Sequence, residues 1–324
     1  MSLQPYDELV ARSPQGSVFA SSWWLDAVAP GSWQPHPLEA GGEVVAAWPT
    51  VVRTTRFGKL HVGAPLTPFL GPLFAPSEGG ELRRRANDIK SIELLLGLLE
   101  PCAHVEARCH PAFDYWTPLS WHGFTQTTRY TWRLPELGDL EAVFARLREN
   151  IRREVRKARK SGVTVVPGSL EELEEVRDRT AERADRADVA AANVAEANLA
   201  ALRSIEAAAA PRGARTILVA RGADGSLHAA GYFVHDARYT YYLVGGSHEE
   251  LRTSGGPSLL MWHAIELAAE QGRGFDFEGS MLRSVERFFR SFGGVPAPYS
   301  VVRRTSSAGL RMATALKRTA RSVL

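Results

Sequence analysis

The sequence predicts a mixed α/β protein. Three apolar strand candidates follow one another at 216–221, 229–235 and 239–244, and turn residues separate them. A helix, a strand, a second helix and a last strand come next, an order that is typical of a mixed sheet flanked by helices. The chain has 324 residues, of which 44% are hydrophobic and 23% charged, so it is long enough for two domains with separate cores.

The N-terminal part of the chain predicts short helices and strands around a structured loop. Serine side chains cap helix starts, proline interrupts strands, and stretches rich in glycine and proline form turns. The predicted elements are a short helix capped by Ser21 or Ser22, a buried strand over 43–52 that is broken or bent at Pro49, a Gly- and Pro-rich loop over 60–74, a helix over 89–99 and a strand over 103–108.

The rest of the chain predicts longer helices around the three strands. Glycine just after an apolar periodic stretch ends a helix, and acidic residues favour a helix start. The predicted elements are a strand near 130–134, a helix from Asp139 to Lys160, a helical stretch over 170–210, a helix over 257–271 that ends at Gly272, a strand over 274–279, a helix over 285–292 and a strand over 299–303.

Positive charge is concentrated in two segments. The formal net charge is only +3, from 39 basic and 36 acidic residues. Residues 148–160 nevertheless hold seven basic and two acidic side chains, and 303–324 hold six basic and no acidic ones. Such basic segments suit a polyanion such as tRNA or a phosphorylated substrate, whereas a solvated charged helix face is the alternative. The last 19 residues also predict an amphipathic basic tail that contacts a membrane, a nucleic acid or another subunit, or packs loosely.

Several classes of protein have no support in the sequence. The two cysteines, Cys102 and Cys109, lie outside any metal-ligand spacing and predict reduced, partly buried thiols. The N-terminus shows no signal peptide, and no segment reaches the roughly 20 apolar residues of a membrane helix. Neither a Walker-type loop nor a Gly-x-Ser-x-Gly motif occurs. These observations predict a soluble, cytoplasmic protein without a metal.

Four ordered stretches together resemble one family. They are His110-Pro111 with Trp121-His122-Gly123-Phe124, the basic stretch 148–163, Tyr242-Leu243-Val244-Gly245-Gly246-Ser247 with Ser254-Gly255-Gly256, and 275–280 with 285–293. In this set and order they resemble the FemABX-like branch, including BioF2-like acetyltransferases, of the GNAT superfamily. The first third matches through Ser22-Trp23-Trp24-Leu25 and Gly71-Pro72.

The resemblance implies a fold and a reaction. It implies two tandem GNAT-like domains, over 1–125 and 126–305, followed by the basic tail at 306–324. Members of the strict Fem branch move an amino acid from aminoacyl-tRNA to a peptide amine, whereas looser relatives are acetyltransferases. GNAT-type transfer needs both substrates positioned, a proton acceptor for the amine and stabilisation of an oxyanion. We expect the gap between the strands at 239–244 and 275–278 to provide these.

Four residues are candidates for the chemistry. His110 stands where strict Fem sequences often have aspartate, and it can accept a proton near neutral pH. Asp276 and Glu278 alternate with phenylalanines, so both carboxylates are expected on one strand face, where one accepts the amine proton. Arg290 neighbours the position at which strict Fem proteins carry a lysine, here Phe289, and is a candidate for stabilising negative charge. Structural roles are the alternative at each position.

Other residues are candidates for binding the donor. Arg153, Arg156 and Lys160 share one face of their predicted helix and can bind a polyanion. The segment 252–257 contains Arg252, Gly255 and Gly256, part of the Arg/Gln-x-x-Gly-x-Gly/Ala loop that binds the pyrophosphate of coenzyme A in GNAT enzymes. Pro257 replaces the last small residue of that pattern and removes a backbone donor. We also include Trp24, Tyr242 and Phe289 as binding candidates, with a core position as the alternative.

Three functions remain open from the sequence. The first is amide-forming transfer from aminoacyl-tRNA to a peptide, a peptidoglycan precursor or a specialised-metabolite amine, without a cofactor. The second uses acetyl-CoA or another acyl thioester, including an acyl-carrier protein. The third is a non-catalytic GNAT-like binding protein.

Overall fold

A computed structural model describes residues 2–77, 79–99, 101–181, 189–248, 250–279 and 283–312, and within these ranges the side chains other than those at 177–181, 189–196, 252 and 284. The α-helices are α1 (Gln4–Arg12), α2 (Ser22–Val28), α3 (Glu81–Leu99), α4 (Thr117–Trp121), α5 (Leu140–Arg146), α6 (Glu149–Lys160), α7 (Leu170–Ala181), α8 (Val189–Ala209), α9 (Gly256–Glu270) and α10 (Arg283–Arg290).

The strands alternate with these helices, so the chain is mixed α/β as predicted. They are β1 (Trp33–Gln34), β2 (Pro37–Ala40), β3 (Glu43–Ala47), β4 (Thr50–Thr55), β5 (Gly58–Val62), β6 (Leu73–Phe74), β7 (His104–Arg108), β8 (Thr125–Leu134), β9 (Thr164–Pro167), β10 (Arg215–Arg221), β11 (Leu227–His235), β12 (Tyr239–Ser247), β13 (Gly274–Asp276) and β14 (Val295–Thr305).

The chain forms two compact units. The first contains Met1–Arg129 together with Pro298–Leu324, and the second contains Tyr130–Ala297. The C-terminal segment returns to the first unit because Val301–Thr305 of β14 pair antiparallel with β7.

In the first unit, β4 and β5 form an antiparallel hairpin, and β5 pairs in parallel with β7. Helix α3 lies in the connection between these two parallel strands. A separate small sheet contains β2, β3 and β6. The apolar side of α3 packs with Trp48, Val105 and Val302 in a buried core.

In the second unit, β9, β10, β11 and β12 are joined antiparallel, and β12 pairs in parallel with β13. The connection between β12 and β13 contains α9, and β13 pairs antiparallel with β8. Apolar side chains of α6, α9 and the central strands form the core, including Val155, Leu260, Ile265 and Phe275. Both units therefore contain a hairpin, a helical crossover and a parallel strand in the same order.

The structure corrects three of the predicted elements. The helix expected from Asp139 to Lys160 is divided into α5 and α6, because Leu147 and Arg148 adopt extended backbone and the Arg148 N–H donates to Ser291 O at 2.9 Å. The loop expected from residue 60 begins only after β5, since the antiparallel pairing with β4 extends that strand to Val62. The strand expected to reach residue 279 ends at Asp276.

Within the described residues, no helix is both long and apolar enough to cross a membrane. The same part of the chain contains no group of His, Cys, Asp and Glu side chains arranged to hold a metal ion. Cys102 and Cys109 are both buried, and they form no disulfide with each other. Most of the predicted tail, 313–324, lies outside the described residues.

Candidate active site

The second unit contains a cavity of about 490 Å³ between the sheet and its helices. Its walls come from α6, β11, β12, α9 and α10, and most of its surface is apolar. The lining residues are Glu154, Ala229, Ala230, Tyr242, Gly246, Ser247, Pro257, Ser258, Leu260, Met261, Val285 and Phe288. A concave, mainly apolar site with few polar groups is the usual form of a small-molecule pocket.

The cavity lies where two parallel strands separate. β12 pairs with β13 only from Tyr239 to Tyr241, and then continues to Ser247 without that neighbour. The side of β12 that follows Tyr241 thereby faces the cavity through Tyr242, Gly246 and Ser247. The separation of these strands confirms the expected gap, although the second strand is shorter than the sequence indicates.

Among the described residues that line the cavity, Glu154 is the only charged one. It lies on α6, and the Ser258 hydroxyl at the start of α9 donates to its Oε2 at 2.5 Å. Its Oε1 accepts no hydrogen bond from a described residue. Glu154 has no distinguishing signal in the sequence, because it stands among seven basic residues within 148–160 and does not belong to a recognisable motif.

The start of α9 is built by close packing. Gly255 has a φ of +82°, and a Cβ there would collide with the backbone oxygen of Glu154. A Cβ on Gly256 would lie 2.8 Å from the Cβ of His228. These two glycines are therefore required by the contacts of α9 with α6 and with β11.

The backbone donors at this helix start are mostly engaged. The Gly256 N–H donates to Ser254 Oγ at 3.0 Å, Pro257 has no N–H, and the Leu259 N–H donates to Gly255 O at 2.9 Å. Three of the first four positions of α9 consequently offer no free backbone donor. A pyrophosphate needs several such donors at a helix N-terminus, so this segment fits coenzyme A poorly. The side chain of Arg252 lies outside the described residues.

A chain of hydrogen bonds holds this helix start against the neighbouring strand turn. His228 bonds through Nδ1 to Ser254 Oγ at 2.9 Å and through Nε2 to Ser226 Oγ at 3.0 Å. The Ser226 hydroxyl also donates a hydrogen bond to Asp224 Oδ1 at 2.6 Å. Ser254 is thereby fixed in the position where it accepts from Gly256, and it is not available to a ligand.

Asp276 is fully buried at the end of β13, and its carboxylate accepts three hydrogen bonds. Arg133 donates through Nε to Oδ2 at 2.6 Å, and the Thr131 hydroxyl and the Glu278 N–H, the latter at 2.8 Å, donate to Oδ1. The nearby Asp276 charge raises the pKa of Arg133 against the opposing effect of burial. These contacts give Asp276 a structural role in joining β13 to β8.

Glu278 has a different environment. It does not continue the alternation of β13, because its backbone has a φ of +55° and lies in the left-handed region. Its Oε1 is buried and accepts no hydrogen bond from any described residue. Burial and the adjacent Asp276 raise the pKa of Glu278 well above its ordinary value. The two carboxylates therefore do not share a strand face, and only that of Glu278 has an oxygen without a hydrogen bond from a described residue.

Glu278 is not among the described residues that line the cavity, but aromatic rings connect its neighbour Phe277 to that cavity. Phe277 packs on Phe289 with ring centres 5.5 Å apart, and Phe289 packs on Tyr242 at 5.8 Å. Tyr242 lines the cavity, whereas Phe289 is buried behind it. Arg290 is exposed and forms an ion pair with Glu286 at 2.8 Å. It is not among the described residues that line the cavity.

The outer face of α6 carries the basic residues that the sequence predicts to bind a polyanion. Arg153, Arg156 and Lys160 are exposed, and they form no ion pair with any residue that the structure describes. Other cations of the same helix are engaged. Lys157 donates to Thr253 O at 2.6 Å, and Arg159 pairs with Glu266 at 3.0 Å.

Two predicted site residues lie in the first unit. Trp24 is fully buried, and its indole N–H donates to Thr67 Oγ1 at 2.9 Å. It therefore has no surface with which to contact a substrate, and its role is packing. His110 is buried, accepts the Ala112 N–H at Nδ1 over 3.1 Å, and packs edge-on against Phe69.

Comparisons with known proteins agree with this architecture. Residues 145–290 match the family model of the GNAT acetyltransferase domain. The crystal structure of FemX superposes with a TM-score of 0.69 at 14% identity, covering 93% of this chain and 96% of FemX. The chain has the FemABX-like GNAT fold. The matched domain contains α6, the cavity, the start of α9 and all of α10.

Two further structures superpose on this chain over most of their length. One is the C-terminal domain of a putative lysylphosphatidylglycerol synthetase from Agrobacterium fabrum, with a TM-score of 0.55, 15% identity and coverage of 97% of this chain and 95% of that one. The other is a tandem GNAT protein from the clavulanic acid biosynthesis pathway, with a TM-score of 0.51, 14% identity and coverage of 94% of each chain. No curated protein sequence matches the chain.

Proposed function

We propose that this protein forms an amide bond by transferring an aminoacyl group from aminoacyl-tRNA to an amine acceptor. The acceptor is a peptide, a peptidoglycan precursor or a specialised metabolite. The observation that carries the proposal is the start of α9, where internal hydrogen bonds and Pro257 leave few donors for a coenzyme A pyrophosphate. The substrate that donates the acyl group is therefore bound by groups other than the backbone N–H groups at the start of α9.

The exposed face of α6 supports a nucleic-acid donor. Arg153, Arg156 and Lys160 present positive charge without internal ion pairs, which favours contacts with phosphates. The similarity to a putative lysylphosphatidylglycerol synthetase domain, whose name describes an aminoacylated product, agrees with an aminoacyl donor.

The reaction requires one proton to move from the amine to the tRNA. The neutral amine attacks the ester carbonyl, a C–N bond forms, and the ester C–O bond to the tRNA breaks. We assign the role of accepting the amine proton to Glu278, because its raised pKa makes its carboxylate a stronger base than an exposed glutamate. The leaving tRNA oxygen receives a proton in return, so the step is balanced.

The test is transfer of radiolabelled amino acid from a charged tRNA mixture to a pool of amine acceptors, with labelled acetyl-CoA assayed in parallel. We expect transfer from tRNA that is lost in the double variant Arg153→Glu, Arg156→Glu. The double variant Arg83→Glu, Lys90→Glu on exposed α3 positions changes the net charge equally and should retain activity.

Other outcomes would favour the alternatives. Saturable use of acetyl-CoA, unaffected by tRNA or by the α6 variants, would contradict the proposal and assign the protein to the thioester-using enzymes. Failure of both donors, with binding of an amine or a tRNA intact, would favour a non-catalytic GNAT-like protein.

A further inference from the structure

The described lining of the second unit's cavity contains one charged side chain, Glu154, in mainly apolar surroundings. Ala229, Ala230, Leu260, Met261 and Phe288 supply apolar walls around the Glu154 carboxylate. A carboxylate in such surroundings interacts more strongly with a nearby charge than it does in water. Glu154 therefore favours a positively charged ligand group over a neutral or negatively charged one.

The carboxylate is held in place and keeps one oxygen available. Ser258 donates to Oε2 at 2.5 Å and so fixes the orientation of the side chain. Oε1 accepts no hydrogen bond from the described residues. Arg153, Arg156 and Lys160 of α6 lie on its exposed surface, whereas Glu154 lines the cavity. An ionised acceptor with an open site forms its strongest hydrogen bonds with a cationic donor.

We propose that Glu154 binds the ammonium group of the aminoacyl donor inside this cavity. This inference rests on the proposed function and specifies its donor as an amino acid ester that carries a free ammonium group. The apolar walls would contact the remainder of the aminoacyl group. The same carboxylate would repel a phosphate and would gain nothing from a neutral acetyl group, so it selects for an aminoacyl donor over an acyl thioester.

The α-ammonium and a side-chain ammonium share this chemistry, and the acceptor amine is a third possible source. The experiment therefore compares free and α-N-acetylated forms of the aminoacyl-tRNA used by the wild-type protein, and it determines KM separately for donor and acceptor. For an amino acid with a side-chain amine, a form blocked only at that amine is added.

The decisive variant is Glu154→Gln, which preserves an oxygen for Ser258 and removes the charge. We expect it to raise the KM for the free-amine donor about tenfold to a hundredfold, as for loss of a charge-assisted hydrogen bond. The KM for the blocked donor and for the acceptor should change little. Glu149→Gln, on the same helix but outside the cavity lining, is the matched control and should behave as wild type.

Each result has a distinct meaning. If wild type transfers the free donor and every blocked donor equally, or if Glu154→Gln changes the KM of all of them equally, the ammonium site is wrong while aminoacyl transfer stands. An effect confined to the side-chain-blocked donor assigns the site to the side-chain ammonium and supports the inference. A rise confined to the acceptor KM overturns it. Absence of any transfer by wild type rejects the proposed function itself.

Discussion

Glu278 combines three features that are costly for a folded protein. Its left-handed backbone costs about 1–3 kcal/mol for a residue with a side chain. Its Oε1 is buried without a hydrogen-bond partner in the described structure, and its pKa is raised well above the ordinary range. Because a folded chain retains such features mainly where they serve a function, Glu278 is the strongest candidate for the general base.

Substitution of Glu278 by Gln should abolish most of the transfer activity. We expect a loss of about 10²–10⁴-fold in kcat, the usual contribution of a general base. In the wild type the rate should rise with pH until it passes the raised pKa, since only the ionised form accepts a proton. A pH–rate profile of both proteins checks this, and Glu136→Gln at an exposed position is the control.

The same substitution gives an independent readout in stability. Above the unfolded pKa of about 4.3 the unfolded chain releases its proton while the folded chain retains it, so the wild type loses stability as the pH rises. Glu278→Gln does not titrate, and its melting temperature relative to wild type should increase from pH 4 to pH 8. A difference that does not depend on pH would contradict the raised pKa.

Asp276 should behave as a structural residue instead. Asp276→Asn retains an acceptor for the Glu278 N–H but leaves the buried Arg133 guanidinium without its counter-charge. We expect a loss of about 3–5 kcal/mol in the free energy of unfolding, measured by urea denaturation. At a temperature where the variant is folded, its kcat should fall less than that of Glu278→Gln. A larger loss of kcat with unchanged stability would make Asp276 the base.

At the scale of elements, the start of α9 shows how packing replaces a ligand site. Gly255 and Gly256 resemble part of a pyrophosphate loop in sequence, yet their lack of a side chain is required by α6 and by His228. Ser254 caps the helix start, and the chain from Asp224 through His228 fixes Ser254. The element is therefore rigid and internally satisfied.

Gly255→Ala tests the packing at this position. Gly272, at the other end of α9, has a similar φ of +66° but no atom within 4 Å of a Cβ built there. Both alanine variants strain the left-handed backbone, but only Gly255→Ala also collides with Glu154 O. We expect Gly255→Ala to be less stable than Gly272→Ala by about 1–3 kcal/mol in urea denaturation, as for overpacking. Equal losses would show that α9 can move away from α6.

At the scale of the whole molecule, the two units differ in how the chain builds them. The second is continuous from Tyr130 to Ala297, and its core residues all come from that range. The first needs the C-terminal segment, because Val302 belongs to its core and Val301–Thr305 pair with β7.

Fragments of the chain should therefore differ in stability. We expect 130–297 to unfold cooperatively on its own, as followed by circular dichroism during heating. Fragment 1–129 should lack a cooperative transition, since the edge of β7 is left unpaired. Adding a peptide of residues 298–324 should restore it. A cooperative transition of 1–129 alone would show that β14 is dispensable.

Several helices and strands could be predicted because residues close together in the chain specify them. The strands β10 to β12, the helix α9 with its stop at Gly272, and the basic face of α6 follow from periodicity, capping residues and charge spacing. The ordered motifs also predicted the GNAT fold and its tandem arrangement. These features depend on neighbours in the chain, so the chain alone specifies them.

Contacts between residues that are distant in sequence were found only in the tertiary structure. It divided the helix expected over 139–160 where Arg148 bonds to Ser291, buried Trp24, and neutralised Asp276 with Arg133. It also placed Glu154 and Ser258, 104 positions apart, in one cavity wall. None of these contacts has a local signal in the sequence, because each depends on the packing of segments that are distant along the chain.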